Sequence, residues 1–262
     1  MNVGMREQRM SVSDLALEGK VAIVTGGGRD IGQACALALA ARGASVAVSY
    51  HASADGAQAM VSHVTQAGGS ALAAQVDLAK PESAEAFVAE IIGAYGHIDV
   101  LVNNAGGLVA RKTLAEMDLA HWRAVMDLNL TSVFSMTKAC LPHLRDNSTI
   151  INLASLAGRD GGGPGAVPYA TSKGAVMTMT RGLAKELGPK TRVVALCPGM
   201  IDTDFHNVFT QDDIRAKVAA STPLKREGSP REIGEFVAFL ATDGAGFVNG
   251  ACIDVNGGVA FS

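Results

Sequence analysis

The stretch Lys20 to Gly32, KVAIVTGGGRDIG, narrows the possible architectures more than any other part of this 262-residue chain. Val21 to Thr25 is short, apolar and β-branched, which predicts a strand buried on both faces in a parallel sheet. Three glycines follow, Gly26, Gly27 and Gly28. Ile31 and Gly32 then open IGQACALALAARG, small apolar helix formers closed by Gly43. A strand, a glycine-rich turn and a helix in that order gather backbone N–H groups at the positive end of a helix dipole. A pyrophosphate can sit there. Glycine lets the backbone approach the phosphates and lets the helix pack closely on the strand.

The rest of the chain repeats the alternation. Apolar runs predict strands at 20–25, 45–50, 71–76, 98–102, 149–154, 192–197 and 251–255, with helices near 31–42, 54–67, 82–95, 119–145, 168–187 and 230–242. Right-handed βαβ crossovers then give an α/β fold, a Rossmann-type doubly wound parallel seven-stranded sheet. Chemistry in such a sheet gathers at the carboxyl ends of the strands. No linker interrupts the pattern, so residues 16–262 read as a single domain. Residues 1–15, MNVGMREQRMSVSDL, mix charges and lack the apolar core of a secretory signal, and are expected to form a flexible extension. The segment 203–225 breaks the alternation and carries Phe205 and Phe209.

Composition excludes several classes. The formal net charge of −3 argues against a general nucleic-acid binder. Cys35, Cys140, Cys197 and Cys252 form no C-x-x-C, and no histidine cluster has metal-ligand spacing. Free thiols in a reducing, cytoplasmic compartment are expected, with no metal. No apolar run approaches the roughly 18 residues needed to cross a bilayer.

A second constellation lies in PYATSKGAV. Tyr169 and Lys173 are four apart and fall one above the other on a helix face. An ammonium beside a phenol favours the phenolate. A free Tyr titrates near 10, so action at neutral pH asks for about 4 kcal/mol. Such a Tyr donates a proton to a carbonyl or accepts one from an alcohol.

Together these residues resemble the short-chain dehydrogenase/reductase family, from about Leu17 to Gly258. TGGGRDIG is similar to its cofactor loop, VDLAKP to its adenine-contacting segment, and NNAG (Asn103 to Gly106) to the motif after its fourth strand. DLNL supplies Asn129, INLAS supplies Ser155, and YATSK supplies Tyr169 and Lys173. CPGMIDTD (Cys197 to Asp204) resembles the nicotinamide loop, and DVNGG (Asp254 to Gly258) the C-terminal signature. The resemblance implies that Tyr169 is the general acid in reduction and the base in oxidation. It implies that Lys173 lowers the Tyr169 pKa and orients the nicotinamide ribose. Ser155 would bond the substrate oxygen, and Asn129 would hold a relay water beside Lys173. It implies cofactor contacts from Gly26, Gly28, Arg29, Asp30 and Ile31, and from Ser49, Tyr50 and His51. Asp77 and Leu78 would touch the adenine, and Asn104, Ala105 and Gly106 would add further cofactor contacts. The Pro198–Gly199 turn and Thr203 would hold the carboxamide, with Ile201 a further cofactor contact, and 203–225 would form a substrate lid.

Two departures stand out. Asp30 replaces the family's glycine, and a carboxylate near a pyrophosphate is repulsive unless Arg29 or a backbone amide engages it. Asp is also a good residue at a helix start, where it can cap free N–H groups. The spacing from Ser155 to Tyr169 is one residue longer than the family's, absorbed in the loop RDGGGPGAVP. No acid ends the second strand, where a carboxylate would bind a ribose 2′-OH. Ser49, His51, Ser53 and Arg29 could receive a 2′-phosphate, which favours NADP(H), with NAD(H) as the alternative.

The substrate is expected to be a small carbonyl compound or secondary alcohol. Of the family, 3-oxoacyl-[acyl-carrier-protein] reductases are most similar, and Arg111, Lys112, Arg123 and Arg145 are candidates for a basic face toward an acidic carrier. Sugar, polyol or other secondary-alcohol dehydrogenases are the alternative, and a non-catalytic cofactor-binding regulator is a remote one. The family implies a homotetramer built on 119–145, 168–187 and 247–258. There Val133, Phe134, Met136, Met177, Met179 and Leu183 exceed one buried helix face.

Overall fold

The seven apolar runs become seven strands: β1 (Val21–Val24), β2 (Ser45–Tyr50), β3 (Ala71–Gln75), β4 (Ile98–Asn103), β5 (Leu144–Leu153), β6 (Thr191–Pro198) and β7 (Cys252–Val255). All pair in parallel, in the order β3-β2-β1-β4-β5-β6-β7. This computed structural model describes residues 16–261, so the expected extension 1–15 lies outside the described residues.

The helices are α1 (Asp30–Ala41), α2 (Ala54–Gln66), α3 (Pro81–Tyr95), α4 (Leu119–Met126), α5 (Ser132–Cys140), α6 (Ala157–Asp160), α7 (Val167–Leu187), α8 (Asp204–Phe209), α9 (Asp212–Ser221) and α10 (Pro230–Leu240). Side chains alternate across each strand and feed two cores. Val24, Val48, Val102, Ile151 and Leu196 pack with Leu39 of α1, Met60 of α2 and Val237 of α10. Ile23, Ala47, Leu101, Ile150 and Val193 pack on the other face with Ile91 of α3, Met136 of α5 and Ala184 of α7. The sheet is therefore covered on both faces, as parallel sheets require. The order turns back between β1 and β4, and the crevice at their carboxyl ends is where ligands of such sheets bind.

Two expectations need correction. The helix expected over 119–145 is broken. A π-helical turn, Asp127–Thr131, separates α4 from α5, and a short 3-10 turn, Leu141–His143, ends the run. Pro142 stops helix continuation, and β5 then starts at Leu144, five residues before the expected 149. The segment 203–225 folds as two helices, α8 and α9. The apolar excess is also smaller than expected. Val133, Met136 and Met177 are buried within the chain, Met179 and Leu183 are partly buried, and Phe134 is 53% exposed.

Candidate active site

A cleft of about 1220 Å³ opens along the carboxyl ends of the strands. That exceeds one ordinary small-molecule pocket and suits a large ligand with room for a second. Every cofactor residue expected from the sequence lines it, from Gly26 to Thr203, as do Ser155, Tyr169 and Lys173. Asn129 does not; it is wholly buried behind the wall.

The glycine-rich turn has the expected shape. Gly26 sits at φ +66, and its N–H donates to the Ser49 hydroxyl at 3.2 Å. Ser49 is thus a buried brace of the turn at the wall of the cleft. Tyr50, His51 and Ser53 are what the end of β2 presents to the cleft. Asp55 stands beyond them, exposed in the first turn of α2. The Asp77 carboxylate accepts from the Ala79 N–H at 3.2 Å, fixing the turn that carries Leu78.

The turn after β4 is locked to β1. Thr25 Oγ1 accepts from the N–H groups of Asn104 and Ala105, at 2.9 and 3.0 Å. The Asn104 amide donates back to the carbonyls of Thr25 and Gly26. Beneath them Asn103 donates to Asn152 at 2.9 Å, and Asn152 donates to Thr180 of α7. The sequence reading missed Thr25, Asn152 and Thr180 as organisers of the site. Their signal was polarity at strand ends and inside an otherwise buried helix face.

Gly106 is a close approach. A Cβ there would lie 2.6 Å from Asn129 Oδ1 and 3.2 Å from Lys173 Nζ. Asn129 clamps the next residue: Gly107 N–H donates to its Oδ1 at 2.9 Å, and its Nδ2 donates to Gly107 O at 2.8 Å and to Val125 O at 2.9 Å. The side chain expected to hold a relay water therefore spends its amide on the backbone. That clamp sits inside the π turn, a distortion frequent at functional sites.

Tyr169 and Lys173 share one face of α7, with the ammonium 5.7 Å from the phenol ring centre. Lys173 Nζ donates to Leu153 O at 2.6 Å at the end of β5. The Ser155 hydroxyl sits at the Tyr169 phenol and favours its ionised form. It also accepts from the Ala157 N–H at 3.1 Å, which starts α6.

The expected fall in the Tyr169 pKa does not occur. Burial pushes the phenol up, and the Ser155 hydroxyl offsets only part of this. Burial also pushes Lys173 down to about 8. Both groups have left water, and that loss of hydration is the largest influence on each. Over Tyr169 lies Phe205 of α8, its ring centre 5.8 Å away, followed by His206 and Phe209. Burial pushes His206 below its ordinary range, and Nδ1 hydrogen-bonds Thr210 Oγ1 at 2.9 Å.

Asp30 is engaged by both groups that could neutralise it. Its Oδ1 accepts from the Asp204 N–H at 3.2 Å, and Arg29 Nη1 lies 3.4 Å from its Oδ2. As the first residue of α1 its carboxylate does not cap that helix; it reaches the first amide of α8. Burial raises its pKa, and the Asp204 amide and Arg29 offset this.

The candidate basic face is smaller than the sequence suggested. Arg145 pairs with buried Asp99 at 2.7 Å, at the start of β5 and the opposite end of the sheet. Arg111 donates to Phe209 O and Pro164 O, both at 2.9 Å, and so braces α8. Arg123 lines the cleft, whereas Lys112 does not. Among the described residues no group of acids, histidines or cysteines could hold a metal. No helix there is long and apolar enough to cross a membrane.

Known proteins share this arrangement. A family model described as "Enoyl-(Acyl carrier protein) reductase" matches residues 26–260. A 3-oxoacyl-[acyl-carrier-protein] reductase of Synechocystis is 40% identical over 249 residues, covering 93% of this chain and 98% of that protein. A Staphylococcus epidermidis reductase of the same description is 39% identical over 243 residues, covering 92% and 98%. Among solved structures, a short-chain dehydrogenase/reductase from Serratia marcescens superposes with a TM-score of 0.89 at 36% identity, covering 94% of this chain and all of that one. A metagenomic blue fluorescent protein in complex with NADPH gives 0.89 at 37% identity, with the same coverage. With its sheet order, its glycine turn and its Ser155, Tyr169 and Lys173 arranged as described, the chain belongs to the short-chain dehydrogenase/reductase family of oxidoreductases.

Proposed function

We propose that the protein is an NADP(H)-preferring ketoreductase acting on a 3-oxoacyl substrate, including one carried on an acyl-carrier protein. The observation that carries the reading is the convergence of Ser155, Tyr169 and Lys173 on one point of the cleft, under Phe205.

The residues fit a nicotinamide dinucleotide. Gly26 and Gly106 line the cleft, and a Cβ at either would crowd its wall, Asn104 and Ala105 at the first and Asn129 and Lys173 at the second. Gly28, Arg29 and Ile31, with the backbone of Asp30 and not its carboxylate, would hold the pyrophosphate. Tyr50, His51 and Ser53 would take the 2′-phosphate, and Asp77 and Leu78 the adenine. Asn104, Ala105, Gly106, Tyr169 and Lys173 would flank the ribose, and Pro198, Gly199, Ile201 and Thr203 the carboxamide. When bound, the cofactor supplies or takes the hydride.

The protein contributes position and proton control. A phenol kept protonated by burial is in the correct form to give its proton to a carbonyl oxygen that is gaining negative charge. The Ser155 hydroxyl stabilises that oxygen. Lys173, held by Leu153 O and crowded by the Gly106 turn, presents its ammonium beneath the phenol and the ribose. Asn129 acts through Gly107 to hold that turn in place. The helix pair α8 and α9 serves as the lid of the substrate half, which Leu108, Phe205, Ile214 and Val218 make largely apolar. An apolar wall favours an acyl chain over a sugar or polyol. A similar structure from Burkholderia cenocepacia is a complex with NADP, which supports the cofactor preference.

A homotetramer in the cytoplasm completes the proposal. Exposed Phe134 on α5, together with exposed Phe239 on α10 and Phe247 ahead of the edge strand β7, supports the assembly. Light scattering that shows a monomer would refute it. The activity is tested with NADPH and a panel of 3-oxoacyl thioesters, sugars and simple ketones. Turnover confined to sugars or polyols would overturn the substrate class.

A further inference from the structure

Asp30 stands at a place where a side chain is costly. Its φ is +51, in the left-handed region that favours glycine. An acid there also lies beside the turn proposed to hold a pyrophosphate. Both costs need a return elsewhere in the fold. The return lies across the cleft, where Oδ1 accepts from the Asp204 N–H at 3.2 Å, 174 residues along the chain. Arg29 Nη1 bridges the same two residues, 3.4 Å from each carboxylate.

Asp204 is the first residue of α8, and the next is Phe205, whose ring lies on Tyr169. Thr203, the residue before, makes no side-chain cap of the helix. The free first amide of α8 is therefore served from the cofactor loop. The other end of α8 is held by Arg111 at Phe209 O. A six-residue helix this short has little stability of its own, so external anchors set where it lies.

We propose that Asp30 is a positioning residue of the substrate lid. Its carboxylate anchors the first amide of α8 and thereby sets Phe205 against Tyr169. A carboxylate-to-amide hydrogen bond is one of the stronger neutral-donor contacts. Using the carboxylate there also explains how an acid is tolerated beside the phosphate cradle. The kinetic part of this inference rests on the ketoreductase reading. The anchoring part does not.

The test uses the full chain without cofactor or substrate, followed by hydrogen exchange. Asp30→Gly relieves the backbone but removes the acceptor. It is expected to speed exchange of the Asp204 amide and its α8 neighbours about tenfold, with α7 and α10 unchanged. Asp30→Asn tolerates the left-handed conformation and keeps an acceptor oxygen, so it is expected to keep protection within about twofold of the parent. Asp204→Pro removes the same bond from the donor side. Thr203 is already extended at φ −147 and ψ 159, and the first helical position accepts proline. This variant has no amide at 204 and is expected to match Asp30→Gly at the other α8 amides.

In turnover, Asp30→Gly and Asp204→Pro are expected to raise KM for the ketone about fivefold with kcat little changed, and Asp30→Asn to restore KM. NADPH affinity of Asp30→Gly should hold or strengthen. Parent-like protection of α8 in Asp30→Gly would overturn the anchor, whatever the activity. An Asp30→Asn variant as loose as Asp30→Gly would show that charge pairing with Arg29, and not the amide bond, holds the lid. That would overturn the assignment as well.

Discussion

Replacing Asn129 with alanine tests how the site is held. The side chain is wholly buried and makes three hydrogen bonds, two with Gly107 and one with Val125 O. Removing it leaves the Gly107 N–H with no acceptor, at about 1–3 kcal/mol for a buried orphan. Two carbonyls each lose a donor, and a small cavity opens, so the sum is about 2–4 kcal/mol. In a chain of this size each kcal/mol shifts Tm by about 2–4 °C, which puts the expected loss at about 4–16 °C. The assay is thermal unfolding followed by circular dichroism, with kcat measured well below the transition. Because Gly106 abuts Lys173 Nζ, kcat should also fall even where the variant is fully folded. A Tm within about 1 °C of the parent would refute the clamp.

Two further outcomes are expected. Lys173 carries its charge below about 8 and loses it as pH rises through that value. Reductive kcat/KM should therefore decline on the alkaline side near pH 8, and a profile flat up to the ordinary lysine range, about 10.4, would contradict this. Titration of the single tryptophan, Trp122, should show NADPH binding about tenfold tighter than NADH, one charged hydrogen bond's worth. Tighter NADH binding would place the 2′-OH recognition elsewhere.

Local chemistry made much of this molecule legible in the sequence. The strand–turn–helix at Lys20 to Gly32 and the four-residue spacing of Tyr169 and Lys173 are properties of contiguous residues, and periodicity reports them directly. What was not legible depends on partners far away in the chain. The π turn at Asn129 exists because its amide bonds Gly107, 22 residues back, which no helix propensity registers. The place of Ser49 at the end of β2 was legible, but not that its hydroxyl accepts from the Gly26 amide, 23 residues away, and so braces the turn. Arg145 looked like surface charge until β5 was seen to begin there and set it against Asp99. The Tyr169 pKa went the other way because pairwise spacing carries no information on burial, which dominates both groups.

The most direct measurement is Tyr169→Phe, which removes one hydroxyl and leaves the ring against Phe205. The account predicts that kcat for ketone reduction falls by about 100-fold or more, the usual worth of a positioned general acid. NADPH affinity, read by Trp122 fluorescence, should stay within about twofold because the ring and Lys173 remain. Substantial kcat in this variant, with cofactor binding intact, would show that the proton comes from another group and would contradict the central claim.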